Sequence, residues 1–206
     1  RGLGDVYKRQ ACTNIGGEFI QISPASRNCI NIMEIRKTDK ATNELLDGPI
    51  VDKSELAAKI QRLHIFFSLL IPDMNHEEKQ LLDEVLIQTY NGKGITHNNE
   101  SLVDPEHPNQ YKEMPVLEDV YNILKKNPDT RRIANILNRL VHGSASTFNQ
   151  RTNVNLGNKY TVLDISELTG DLLTVGMFVA LDYVWDKTKD CLLYTSPSPR
   201  DRSVSR

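Results

Sequence analysis

Apolar positions near the start of this chain recur every second residue, then every third or fourth over about ninety residues, then every second again. The first alternating stretch is GEFIQI at 17–22, which reads as a short strand, and SPAS at 23–26 reads as a turn. CINIMEI at 29–35 is β-branched and apolar enough for a further extended segment. From 36 to 53 the chain is polar and broken by Gly48-Pro49, as a linker would be.

The middle reads as helices. Asp52 and Glu55 have the spacing of a capping box, and Leu56, Ile60, Leu63, Phe67 and Leu70 follow at steps of four and three until Pro72. Asn75 and Glu78 repeat that spacing ahead of Leu81, Leu82, Val85 and Thr89, with Gly92 as the stop. A polar stretch at 92–114, with Pro105 and Pro108, predicts a long surface loop. Pro115 is expected in the first turn of a third helix bearing Leu117, Val120, Tyr121 and Leu124. Asp129 is expected to cap a fourth, with Ile133, Ile136, Leu137, Leu140 and Val141 inward and Gly143 at its end.

The strand period returns in KYTVLDI at 159–165, after a Ser-, Asn- and Gly-rich stretch. Ser166 and Glu167 look like the start of a helix carrying Leu173, Met177, Ala180, Leu181 and Val184 on one face. A strand followed by a long helix is half of a βαβ unit. The outer parts therefore predict α/β structure around an all-α insertion.

Composition narrows the class. With 39% apolar and 25% charged residues in 206, the chain is long enough to bury a core, and no run of eighteen apolar residues exists to span a membrane. Cys12, Cys29 and Cys191 are too scattered for a disulfide framework or a zinc site and are expected as free thiols in a reducing cytoplasm. The ends hold six of the 25 basic residues and two of the 27 acidic ones, so the middle is more acidic than the formal net charge of −2 implies. That balance argues against a nucleic-acid-binding protein. The end strings GDVYKRQ and LLYTSPSPRDRS resemble translated sequencing-adapter read-through, as found at the ends of metagenomic proteins, which sets residues 1–10 and 191–206 apart.

Catalytic motifs are scarce. A magnesium-binding strand of a nucleotide hydrolase ends in an acid usually followed by a catalytic carboxylate, whereas Asp164 is followed by Ile165 and Ser166. Glu167 is read with Ser166 as a helix start. NGKGIT at 91–96 lacks the earlier glycine of a phosphate loop and has Gly94 where the metal-binding hydroxyl belongs. The five histidines share no metal-ligand spacing, though His97 and His107 with Asp104 and Glu106 share one loop. No catalytic and no metal residue is assigned. The loop FNQRTNVNL at 148–156 offers Arg151 with Asn149, Thr152 and Asn153, a cation among donors suited to approaching phosphate.

IGGEFIQISPASRNCINIMEIRK, GSASTFNQRTNVNL and NKYTVLDISELTGDLLTVGMFVALDYVWDK together resemble the motor ATPases of conjugative type IV secretion systems, the VirB/TraC type, over residues 11 to about 190. The resemblance implies an incomplete RecA-like P-loop NTPase core in two parts, 11–40 and 146–190, interrupted by an all-α domain at 41–145. It also implies that the phosphate loop precedes this stretch and the magnesium-binding strand follows it, leaving TVLDI as an internal sheet strand. The parent would use ATP and Mg2+ and form a homo-oligomer such as a hexamer. It would work with other secretion-channel components at the cytoplasmic face of the bacterial inner membrane, with DNA as a transfer substrate. Asn149, Arg151, Thr152 and Asn153 would be nucleotide-proximal or intersubunit candidates, and the segment alone would be inactive. The alternative reading is a stand-alone helical interaction module, for which residues 11–35 and 159–189 are dispensable.

Overall fold

A computed structural model describes residues 3–24, 26–36, 54–154, 158 and 160–192. Of the linker expected at 36–53, residues 37–53, with Gly48-Pro49 and Asp52, lie outside the described residues, as does the end string from 193. Among the described residues there are six α-helices and two strands. Helix α1, Leu3–Asn14, runs across residue 10 and turns through Gly16, at φ +72°, into β1, Glu18–Gln21. Gly17 permits the close approach of this turn to β2: a Cβ there would lie 2.5 Å from Tyr160 Cδ1 and 2.8 Å from Cys12 Sγ.

Strand β2, Thr161–Asp164, pairs parallel with β1, with Glu18 opposite Thr161 and Gln21 opposite Asp164. Parallel neighbours need a crossover. Here the crossover contains the whole helical unit: α2, Glu55–Leu70; α3, His76–Asn91; α4, Leu117–Leu124; and α5, Arg131–Val141. Helix α6, Asp171–Leu192, follows β2 and packs on α2. Leu56, Leu63, Phe67, Leu82, Leu117, Leu137, Ile20, Ile32, Met33 and Val175 belong to one continuous buried core, so the helical unit and the strand-bearing parts share their interior.

The caps explain where the helices start. Asn75 and Glu78 form the expected capping box, each side chain accepting from the other's backbone N–H at 2.8 and 3.0 Å. Helix α2 is capped instead by Ser54, whose Oγ accepts from Ala57 N at 3.2 Å, and Glu55 is its first residue. Pro115 lies outside the third helix, because Val116 is its N-cap and donates to Asp119 Oδ2. Asp129 caps nothing. Asn127 Oδ1 accepts from Asp129 N and starts a 3-10 turn, Pro128–Thr130, that leads directly into α5.

Two further expectations change. Residues 29–35, buried except for the half-buried Glu34, form no strand, because side chains take the backbone donors that a ladder would use. Helix α6 starts at Asp171 and not after Glu167: Ser166 N donates to Asp164 Oδ1 at 3.1 Å and closes a turn there. Its inward residues are Leu172, Val175, Val179 and Tyr183, while Leu173, Met177, Leu181, Val184 and Trp185 are exposed. A helix apolar all round is normally enclosed, and this one is covered on one side only.

Candidate functional site

Both strands end at the same edge of the pair, and in open α/β sheets ligands sit outside the carboxyl ends of parallel strands. Beyond β1, Ile22 N donates to Asp164 O at 2.8 Å and extends the pairing by one bond. The chain then turns tightly: Ser26 Oγ and Asn28 Nδ2 both donate to Gln21 O, at 2.7 and 3.3 Å. Thr147 Oγ1 holds the turn from outside by donating to Pro24 O at 3.0 Å. Asp164 sits at the matching end of β2 with its carboxylate engaged by the Ser166 amide.

The 149–153 loop lies against the segment that leaves this edge. Asn153 Oδ1 accepts from Cys29 N at 2.8 Å, its own N–H donates to Cys29 O at 3.1 Å, and its Nδ2 donates to Arg27 O at 2.6 Å. Thr152 Oγ1 accepts from Asn31 N at 3.0 Å and donates to Glu34 Oε2 at 2.6 Å. Asn149 Oδ1 accepts from Glu118 N at 2.7 Å, which ties the loop to the first turn of α4. Asn31 Nδ2 adds a buried bond to Pro115 O at 2.9 Å. Thr152 and Asn153 thus form a strap that fixes residues 27–34 without β pairing, and Asn149 anchors the loop to α4.

Arg151 differs. Its side chain is 69% exposed and pairs with Glu113 on the long loop. Lys93 lies 3.7 Å from Glu113 and 3.9 Å from Asp119, so the guanidinium belongs to a mixed-charge surface cluster where the loop, α3 and α4 meet. Thr152 and Asn153 hold the 27–34 segment, Asn149 holds the start of α4, and Arg151 faces outward.

The remaining candidates are spread out. His107 Nδ1 lies 3.3 Å from Asp104 Oδ2, whereas His97 meets Ser54 Oγ at 3.1 Å, so the histidines of the long loop have separate partners. His64 pairs with Asp83 across α2 and α3 at 2.8 Å. Among the described residues no three His, Cys, Asp or Glu side chains gather as metal ligands. Cys12 and Cys29 are free and buried, and burial pushes the Cys29 thiol up, away from the reactive thiolate.

A charged cluster was missed by the sequence reading. Lys59 Nζ, completely buried, lies 3.0 Å from Asp182 Oδ2. Arg62 Nη1 reaches Asp182 Oδ1 at 3.1 Å and Asp186 Oδ1 at 2.9 Å, and Arg36 Nη1 reaches Asp186 Oδ2 at 2.7 Å. The signal available was two acids four residues apart inside an apolar helix, at positions that share one face. Their basic partners lie about 120 and 150 residues away in sequence, and only the fold joins them.

Neither a family model nor a curated relative matches the chain. Among solved structures the chain is similar to VirB4 of Thermoanaerobacter pseudethanolicus, at a TM-score of 0.69 and 24% identity, over 88% of this chain. The chain has a VirB4-like fold. It spans 65% of the length of that VirB4 chain. Among the described residues the fold is helix-rich with a small parallel two-stranded sheet, and no helix is long and apolar enough to cross a membrane.

Proposed function

We propose that this chain is an internal segment of a motor ATPase of the VirB/TraC type, which energises conjugative DNA transfer and type IV secretion. The observation that carries the reading is the VirB4-like fold over 88% of the chain, coinciding with the strings that resemble that family. In this proposal β1 and β2 are two strands of a RecA-like sheet, and the helical unit is the all-α domain set into the crossover between them. The outward apolar side of α6, with Leu173, Met177, Leu181 and Val184, is where further layers of the parent would pack.

ATP and Mg2+ belong to the parent. The residues present do not fit a nucleotide: the sequence holds no G-x-x-x-x-G-K-[ST] stretch, and Asp164 is bound to its own turn. No hydrolytic step runs through this chain's own residues. Thr152 and Asn153 position residues 27–34 at the sheet edge, Asn149 anchors their loop to α4, and Arg151, exposed and paired with Glu113, is the cation offered to a neighbouring subunit or a nucleotide-proximal surface. The parent is proposed as a homo-oligomer, with a hexamer as its form. It would act with other secretion-channel components, peripherally at the cytoplasmic face of the inner membrane, with DNA as its cargo.

The test is phosphate release. The purified chain is expected to show no magnesium-dependent ATP hydrolysis above background, and the same reading frame extended on both sides is expected to hydrolyse ATP. Turnover by the chain alone, or none by the extended frame, contradicts the assignment. The rival reading, a helical module acting alone, is disfavoured by the shared core: Ile20, Ile30, Ile32 and Met33 are buried in the same cluster as the helices.

A further inference from the structure

The two halves of α6 are held by different forces. Its first half docks through Leu172, Val175 and Val179, with Phe178 against Phe66 of α2 at 5.4 Å between ring centroids. Tyr183 makes the last sheet-side contact, with its hydroxyl 3.3 Å from Thr161 Oγ1. At the second half the groups facing α2 and the end of the 26–36 segment are carboxylates. Asp182 and Asp186 each meet two cations, supplied by Lys59, Arg62 and Arg36.

We propose that Arg36, Lys59, Arg62, Asp182 and Asp186 form a charge-operated latch that docks the last turns of α6 against α2 and can release them while the rest of the fold stays intact. Apolar contacts hold in acid, whereas a carboxylate that gains a proton releases its cations, and a buried cation without a counter-charge is costly. Asp186 is the release point because it alone joins Arg36 to Arg62.

The surroundings leave the latch finely balanced. Glu34 Oε2 lies 3.5 Å from Arg36 Nε, but that nitrogen is buried without a hydrogen bond. Glu55, in the first turn of α2, favours the charged form of Arg62, and the buried Tyr90 of α3 also feels Arg62 and Asp182 while donating to Met33 O at 2.5 Å. Burial works to raise the Asp186 carboxyl, but Arg36, Arg62 and Lys59 outweigh it and hold it below the ordinary carboxylate range. The docking energy of this group is therefore present above the ordinary carboxylate range and lost as pH falls through the lower folded value.

Trp185, the only tryptophan, stands beside Asp186 and is exposed, so it reports on these turns. The experiment follows the fluorescence anisotropy of Trp185 and the far-UV circular dichroism of the full chain from pH 7 to acid. The latch predicts that anisotropy falls at a higher pH than the loss of helix signal, and that Asp186→Asn lowers it already at pH 7 with helix content kept. Coincident transitions in the wild type, or wild-type anisotropy in a folded D186N chain, overturn the proposal. If D186N does not fold, Arg36→Gln decides: the anisotropy step must move to higher pH, and an unmoved step overturns the latch.

Discussion

Asn153 and Cys29 exchange two hydrogen bonds across 124 residues of sequence: the Cys29 amide donates to Asn153 Oδ1 at 2.8 Å, and the Asn153 amide donates to Cys29 O at 3.1 Å. The side chain thus supplies the acceptor that a neighbouring strand would otherwise provide. Asn153→Ala removes that acceptor and the donor to Arg27 O. Leaving a buried amide unpaired costs about 1–3 kcal/mol. Urea unfolding is expected to show a loss in that range, with the far-UV spectrum unchanged before the transition.

Lys59 and Asp182 predict an asymmetry between single and double substitution. Lys59→Met leaves a buried carboxylate with Arg62 as its remaining partner and is expected to cost about 3 kcal/mol, in the range for breaking buried pairs. The double variant K59M/D182L removes both charges and is expected to regain most of that loss. Burial pushes the Lys59 ammonium below its ordinary value, against the pull of Asp182. A double-mutant cycle by denaturant titration measures the coupling, and additive losses would contradict it.

Glu78 predicts acid sensitivity in the helical unit. Hydrogen bonds from Arg132, at 2.8 and 2.9 Å, and then from the Asn75 amide hold its carboxyl below the ordinary range. A depressed folded value places this stabilisation above the ordinary carboxylate range and removes it as pH falls through the folded value. Wild type is therefore expected to exceed Glu78→Gln in stability at pH 7, and the gap is expected to close in acid. Thermal unfolding of both at a series of pH values reads this directly.

Much of the helical unit was legible because its stripes are narrow. Leu56, Ile60, Leu63 and Phe67 recur at steps of four and three, and all four are buried. The pairing of GEFIQI with TVLDI was half legible: each strand showed its period, but nothing in either string told that they are neighbours. Helix α6 defeated the periodicity. Residues apolar on every side offer two consistent faces, and the one read from sequence, with Met177 and Leu181, is the exposed one. The role of the 149–153 loop was hidden for another reason. Asn and Thr side chains that replace a strand's backbone partners have the same composition as a ligand-binding loop.

The exposed side of α6 carries its own prediction. Leu181 is 65% exposed, so Leu181→Glu is expected to change stability by less than about 0.5 kcal/mol. The same change is expected to reduce binding of an apolar dye, because Leu181, Met177 and Trp185 are exposed on one helix. A large loss of stability would mean that this side is packed in solution.

The measurement that bears most directly on the central claim is the nucleotide sequence of the source locus on both sides of these 206 residues. The account predicts one continuous frame, with G-x-x-x-x-G-K-[ST] upstream and an apolar strand ending in paired acids downstream. A frame that closes at both ends as given, or that continues into neither motif, contradicts the assignment to a secretion ATPase.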